Sequence, residues 1–226
     1  LIWFPTGGGK TEAYLGITAF TIFLRRITNK EAGGGTAVIM RYTLRLLAAQ
    51  QFIRASILIC ACEVIRREGL YKLGEEPITI GLWIGGEHTP NNNAQAKECI
   101  EELARANTDD IDYRKNKFNK FQLLKCPWCG TKLTRELVGN RLKGQWGYRC
   151  KSNKVTILCT EQECEFDGNL PVQVVDEEIY KNPPTLLFGT VDKFAMMTWK
   201  GEVSRLFAAD HGNKNKTPEL IIQDEL

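Results

Sequence analysis

Two segments near opposite ends of this 226-residue sequence carry the residue types that handle a nucleoside triphosphate. Residues 5–11 read Pro5-Thr6-Gly7-Gly8-Gly9-Lys10-Thr11, and residues 220–225 read Leu220-Ile221-Ile222-Gln223-Asp224-Glu225. In the first, glycines let backbone N–H groups turn inward onto phosphate oxygens. Thr6, Gly7, Gly8, Gly9, Lys10 and Thr11 are therefore the candidate ATP-binding residues. Lys10 is placed to reach the β- and γ-phosphates, and the Thr11 hydroxyl is a ligand for Mg2+. The usual first glycine of this signature is replaced by Phe4. In the second segment an apolar run delivers two adjacent carboxylates. Asp224 would hold Mg2+ and Glu225 would polarise the attacking water, so Lys10, Asp224 and Glu225 form the candidate catalytic set.

These groups need elements to place them. Leu1-Ile2-Trp3-Phe4 suits a buried strand, and Glu12 to Arg26 suits a helix whose positive end faces the phosphates. Thr36–Met40 reads as the next strand, entered through Gly33-Gly34-Gly35, and Leu44–Arg67 has helical spacing. Ile78–Ile84 is a strand ending at Gly85-Gly86. Ala94–Ala106 is a helix with Asn92 or Asn93 as N-cap. Thr185–Phe188 is a strand followed by a helix through Met197, Asp210–Pro218 is a polar loop, and Leu220–Ile222 is a short buried strand. Strands alternating with helices predict an α/β fold: a parallel, doubly wound sheet with helices on both faces. Ligands of such sheets gather at the carboxyl ends of the strands. The phosphate loop, Arg41, Gly85-Gly86, Thr190 and Asp224 all fall at such ends.

The alternation breaks between residues 110 and 182, where four cysteines fall into two close pairs. Cys126-Pro127-Trp128-Cys129-Gly130 is a metal-knuckle signature, and Cys159 and Cys164 form a C-x4-C pair. Four thiolates on two tight turns close a tetrahedral, structural Zn2+ site. Cys150 is an alternative to Cys159, and Lys125, Lys132 and Arg149 would offset the tetrathiolate charge. Cys60, Cys62 and Cys99 lie in helical patterns and read as small buried residues. Phe118, Phe121, Trp128, Trp146 and Tyr148 lie among Lys and Arg; they form the core of a small module or stack on bases. The expected organisation is an α/β segment at 1–109, a zinc-ribbon insertion at 110–182 and the α/β segment resumed at 183–226.

The net charge of +3 permits a nucleic-acid partner without demanding one. Eight cysteines, a C-x-x-C and no export signal fit metal binding in a reducing cytoplasm better than disulfides. The apolar stretch from Leu44 to Ile65 is interrupted by Arg45, Gln50, Gln51 and Arg54, so no membrane span is expected. Without an initiator Met, and with the second motif at its very end, the chain reads as a fragment of a larger protein.

Over residues 1–106 and 183–226 the chain resembles the first RecA-like domain of a superfamily 2 helicase. Pro5 through Ala13 resembles motif I, and Arg41-Tyr42-Thr43-Leu44-Arg45 through Gln50 resembles motif Ia. Gly85-Gly86 resembles the GG element, Gly189-Thr190-Val191-Asp192-Lys193-Phe194 motif Ib, and Gln223-Asp224-Glu225 the start of motif II. With a zinc ribbon inserted before Phe188-Gly189-Thr190, the whole is similar to the helicase component of the DISARM phage-defence system. The resemblance implies an ATP-dependent helicase or translocase that needs ATP, Mg2+ and Zn2+. Its partners would be nucleic acid, DNA favoured, and other defence subunits, with no membrane. It implies that Arg41, Thr43, Arg45, Gly86, Thr190, Asp192 and Lys193 lie on the nucleic-acid backbone. Hydroxyls, amides and arginines at helix starts bind phosphates without reading sequence. It also implies a second lobe supplying an arginine, without which this fragment is inactive. Arg41 and Arg45 also suit a solvated helix start, and Thr190 a plain N-cap. An ATPase that remodels proteins without nucleic acid is the competing reading, and a zinc-stabilised binding module with a dead ATP site is a third. The presence of Lys10, Thr11, Asp224 and Glu225 argues against the third.

Overall fold

The structure, a computed structural model, describes residues 9–105, 119–138, 141–196, 201–209 and 216–224. The expected strand Leu1–Phe4, the loop residues Thr6, Gly7 and Gly8, Phe118 and Glu225 lie outside the described residues. Helix α1 spans Lys10–Asn29 and begins at Gly9, whose φ of 75° is left-handed and favours glycine. The carboxyl end of α1 is pinned by two buried arginines. Arg25 donates to the carbonyls of Gly33 (2.9 Å), Gly34 (2.7 Å), Lys216 (2.7 Å) and Thr217 (2.8 Å), and pairs with Glu219 at 3.2 Å. Arg26 donates to the carbonyls of Glu76 at 2.8 Å and Pro77 at 3.2 Å. Those carbonyls precede strands, so this end of α1 sits at the amino edge of the sheet. A 20-residue helix is about 30 Å long, so its amino end reaches the opposite, carboxyl edge.

The strands of that sheet are β1 (Val38–Tyr42), β2 (Ile80–Trp83), β7 (Val172–Gln173), β8 (Leu186–Thr190) and β9 (Leu220–Asp224). They lie in the order β7-β2-β8-β1-β9, every pairing parallel. Runs such as Val38-Ile39-Met40 and Leu186-Leu187-Phe188 are apolar on both sides because both faces are covered. One face packs Met40 and Phe188 against α1 and against α2 (Arg45–Arg67), through Ile22, Phe52, Ala55 and Ile59. The other packs Ile39, Trp83 and Leu187 against Ile179 and Tyr180 of α4 (Asp176–Lys181) and against Val203 and Leu206 of the 3-10 segment Gly201–Phe207. The expected doubly wound sheet is thus present.

Several boundaries differ from the sequence reading. Strand β1 starts two residues later than Thr36 and runs on to Tyr42, and β8 continues to Thr190, because pairing extends that far. Helix α5 after β8 covers Val191–Ala195. The chain re-enters the main sheet at Val172, ahead of residue 183, and α4 packs there too. Strand β9 is less buried than expected. It is the outermost strand of the described sheet, so Ile222 is covered while Ile221 is 63% exposed. Residues Leu46–Arg67 of α2 are, by length and mean hydropathy of 1.4, apolar enough to cross a membrane despite the interruptions noted above. The helix packs Ala48, Phe52, Ala55, Ile59 and Cys60 into the core of the sheet, which accounts for its apolarity.

Helix α3 (Asn93–Arg105) starts where Gln95 N–H donates to Asn92 Oδ1 at 2.9 Å, so Asn92 is the cap. Between α3 and β7 lies a small module of two antiparallel hairpins: β3 (Glu136–Val138) with β4 (Arg141–Lys143), and β5 (Tyr148–Lys151) with β6 (Lys154–Ile157). Phe121 is stacked on Tyr148 (4.4 Å between centroids) and Trp146 lies beside Tyr148, so these aromatics form the module's core. Trp128 is 41% exposed, edge-on to Phe166.

Candidate functional site

Within the module the sulfurs of Cys126, Cys129, Cys159 and Cys164 all lie within 4.8 Å of one another. Cys126 and Cys164 are 3.9 Å apart, and Cys129 and Cys159 are 3.4 Å apart. Metal–sulfur bonds of about 2.3 Å in a tetrahedron place sulfurs about 3.8 Å apart, close to both separations, so the four thiols suit such an ion. The local sequence builds each half. Cys126 N–H donates to Thr131 O at 2.8 Å and Gly130 N–H to Cys126 O at 3.0 Å, which folds the C-x-x-C back on itself. Amides of Glu161 and Phe166 point at the sulfurs of Cys159 and Cys164, at 3.4 and 3.5 Å. Burial pushes the Cys164 thiol up to about 11 and raises Cys159 as well. Cys129, the exposed member, is held at about 7: burial works against this, and hydrogen bonds with Thr131 outweigh it. Cys150 sits in β5 opposite Val155, outside the cluster, so the convergent set contains Cys159 and not Cys150. Cys60, Cys62 and Cys99 are buried in the α/β core, and burial pushes all three thiols up.

The second group lies along the carboxyl edge of the parallel sheet. Register sets Arg41 beside Gly189 and Gln223, and Tyr42 beside Thr190 and Asp224. On the other flank of β8, Trp83 sits beside Gly189, so Gly85-Gly86 leave the sheet at the same edge. The amino end of α1, with Gly9, Lys10 and Thr11, reaches this edge too. Glu12 in its first turn pairs with Arg54 of α2; its own backbone amide and then Arg54 hold the carboxyl below the usual range. Thr43 is exposed and Arg45 opens α2. Thr190 is fully buried at the start of α5 and makes no capping bond; its hydroxyl, like Arg41 Nε, has no hydrogen-bond partner among the described residues. Asp192 follows in the first turn of α5 and is exposed. Lys193 turns back instead. It pairs with the buried Asp176 and lies 5.7 Å over the Trp83 ring, with 12% of its side chain exposed.

Some residues that organise these sites carry no sequence signal for that role. Asn93 accepts from Val155 N–H of β6 at 3.0 Å and donates to Glu178 Oε1 at 2.7 Å. Glu63, 1% exposed, binds Arg66, Arg67 and the Ile78 amide. Arg67 in turn stacks over Phe166 at 4.7 Å and donates to Glu165 O at 3.0 Å. Lys120 and Gln122 reach the carbonyls of Gly86 and His88. Only a helical charge pattern at Glu63, Arg66 and Arg67 was available to hint at any of this.

Among the described residues, the class defined so far is an α/β protein with a five-stranded parallel sheet and an inserted module in which four cysteines converge. Over its full length the chain is 36% identical, across 261 aligned residues, to the DISARM protein DrmA of Bacillus paralicheniformis (strain ATCC 9945a / NCIMB 11709 / CD-2). It spans 22% of that protein's length. No family model matches the chain. The likeness to DrmA bears out the resemblance to a DISARM component drawn from the motifs.

Proposed function

We propose that this chain is an ATP-driven motor lobe of a nucleic-acid helicase or translocase in bacterial phage defence, working in the cytoplasm with other defence subunits. One observation carries the reading: the amino end of α1, with Gly9-Lys10-Thr11, and the end of β9, with Asp224, lie on the same carboxyl edge of one parallel sheet. A helix amino terminus presents free amides and a positive dipole to phosphate. Thr6 to Gly9 would wrap the phosphates, Lys10 would neutralise β/γ charge, and Thr11 and Asp224 would hold Mg2+. Glu225 would orient the water. DNA would run along the neighbouring loops, touching Arg41, Thr43, Arg45, Gly86, Thr190 and Asp192. Lys193, engaged by Asp176, would act by fixing the start of α5 rather than as a phosphate cation. A zinc ion held by the four cysteines would supply cohesion to the module rather than chemistry, because protein sulfur fills all its positions. The relative's name, a DISARM protein, supports the defence setting.

The test is ATP hydrolysis by the full-length protein, with and without DNA or RNA. Nucleic acid should stimulate it, and Lys10→Ala should lower turnover by about 10²–10³-fold or more, as losing one preorganised charge-stabilising donor does. Glu225→Gln should bind ATP yet stall. Unchanged turnover in Lys10→Ala sinks the ATP site. Hydrolysis indifferent to both DNA and RNA turns the reading to a protein-remodelling ATPase.

A further inference from the structure

The turn that leaves β2 is held from outside the sheet, by the metal module. Gly85 has a φ of 107°, and the amides of His88 and Thr89 donate back to Gly85 O at 2.9 and 3.0 Å. A Cβ at Gly86 would stand 2.3 Å from Asn91 Nδ2, so the Asn91 side chain closes over Gly86. Two carbonyls of the turn face the module. Lys120 Nζ donates to Gly86 O at 3.2 Å, and Gln122 Nε2 donates to His88 O at 2.9 Å. In a trans peptide the following N–H points opposite to the carbonyl, so anchoring Gly86 O also fixes the direction of the Glu87 amide.

Lys120 and Gln122 are tied to the four cysteines through both halves of the metal cluster. Residues 119–124 run directly into the knuckle, where Leu133 N–H donates to Leu124 O at 2.9 Å. Between them Phe121 is fully buried against Tyr148. Tyr148 Oη donates to Leu123 O at 2.7 Å and accepts from Asn119 Nδ2 at 2.9 Å. From the other side, Gly147 N–H donates to Leu133 O and Leu158 N–H to Gly147 O, both at 2.8 Å, which leads to Cys159. Every bond on this route is 2.9 Å or shorter, and the two made by the Tyr148 hydroxyl are buried, so loosening the cysteine cluster loosens the segment that carries Lys120 and Gln122.

We infer that the metal module sets the shape of the Gly85–Thr89 turn, with Lys120 and Gln122 as its positioning residues, so that metal occupancy governs how well the sheet edge grips a phosphate backbone. The grip rests on the nucleic-acid reading above; the coupling of module to turn does not. Two measurements on the full-length protein separate them: hydrogen exchange of the 85–89 amides, and affinity for a mixed-sequence single-stranded DNA oligonucleotide across a salt series. Gln122→Ala and Lys120→Met should keep their zinc, and chelation should remove it. In all three the 85–89 amides should exchange about three- to tenfold faster, the loss of one or two hydrogen bonds. DNA affinity should weaken by a similar factor, with the salt dependence unchanged because no phosphate contact is lost. Lys120→Arg, which keeps a donor, should restore both. Unchanged exchange in Gln122→Ala, Lys120→Met and chelated protein overturns the inference. A shallower salt dependence in Lys120→Met makes Lys120 a phosphate contact and overturns its positioning role. Faster exchange in a protein that binds no DNA leaves the coupling standing and removes the nucleic-acid reading.

Discussion

In the parallel sheet, Phe188 is fully buried, stacked on Tyr42 at 5.6 Å and edge-on to Phe52 at 6.0 Å. In the cysteine module the strands are three or four residues long and pair only as two-stranded hairpins. Hairpins of that size are marginal by themselves, whereas a five-stranded sheet covered on both faces buries enough apolar surface to be stable. The difference teaches where cohesion comes from in each. Apolar burial holds the sheet; the module has a smaller apolar core at Phe121, Tyr148 and Phe166, and a metal ion held by its four convergent sulfurs would supply the remaining cohesion. The two share one continuous apolar cluster, which includes Met40 and Phe188 of the sheet and Phe121 and Phe166 of the module, and Glu63, Arg67 and Asn93 add polar contacts across the junction.

The comparison breaks most sharply at the metal. Cys126→Ser, or chelation, should unfold residues 120–170 while the sheet stays folded, because structural zinc binding of this type is worth about 10–16 kcal/mol. Metal analysis together with hydrogen exchange of the module and of β1 and β8 checks this. Cooperative loss of both regions would show that they are one unit. The converse is Phe188→Ala, which should cost about 3–5 kcal/mol in a denaturant melt, by removing the centre of the sheet's aromatic cluster.

Glu63 sharpens the boundary between the two. It is buried, which alone would raise its carboxyl; the Arg66 guanidinium, the Ile78 amide and Arg67 outweigh this and hold it below the usual value. A folded pKa below the unfolded one, about 4.3, gives stability that is complete at neutral pH and is lost as pH falls through the folded pKa. Glu63→Gln should therefore cost about 3 kcal/mol at pH 7, since it leaves two arginines without their buried partner. The deficit relative to wild type should shrink in acid, below the ordinary carboxylate range. Denaturant midpoints at pH 7 and pH 3.5 measure it, and a pH-independent deficit would deny the charge its role. The smallest expected effect lies inside the module. Tyr148→Phe removes a buried hydroxyl that bonds Asn119 and Leu123, and should cost about 1–2 kcal/mol without loss of zinc.

Much of this is legible in the sequence, and the reason is local. Glycine before a lysine and a helix, apolar runs at strand length, and C-x-x-C-G are patterns whose partners lie within a few residues. Hence α1, α2, the strands β1, β2, β8 and β9 and the Cys126–Cys129 knuckle could be read directly, and α3 to within one residue at each end, whereas β7 and α4 fell in the stretch assigned to the insertion. Boundaries slipped where pairing, not composition, sets the end: β1 and β8 both run on to Tyr42 and Thr190 because they pair with each other. The sequence by itself determined the residue types at the strand ends and the two cysteine pairs. Only the tertiary structure decided that Cys159 rather than Cys150 meets Cys129, and that Lys193 is held by Asp176. It also decided that Lys120 and Gln122 brace the turn after β2. Each of those contacts joins residues 17 or more apart, whose meeting depends on how the intervening loops close and what they pack against, and no local spacing encodes that.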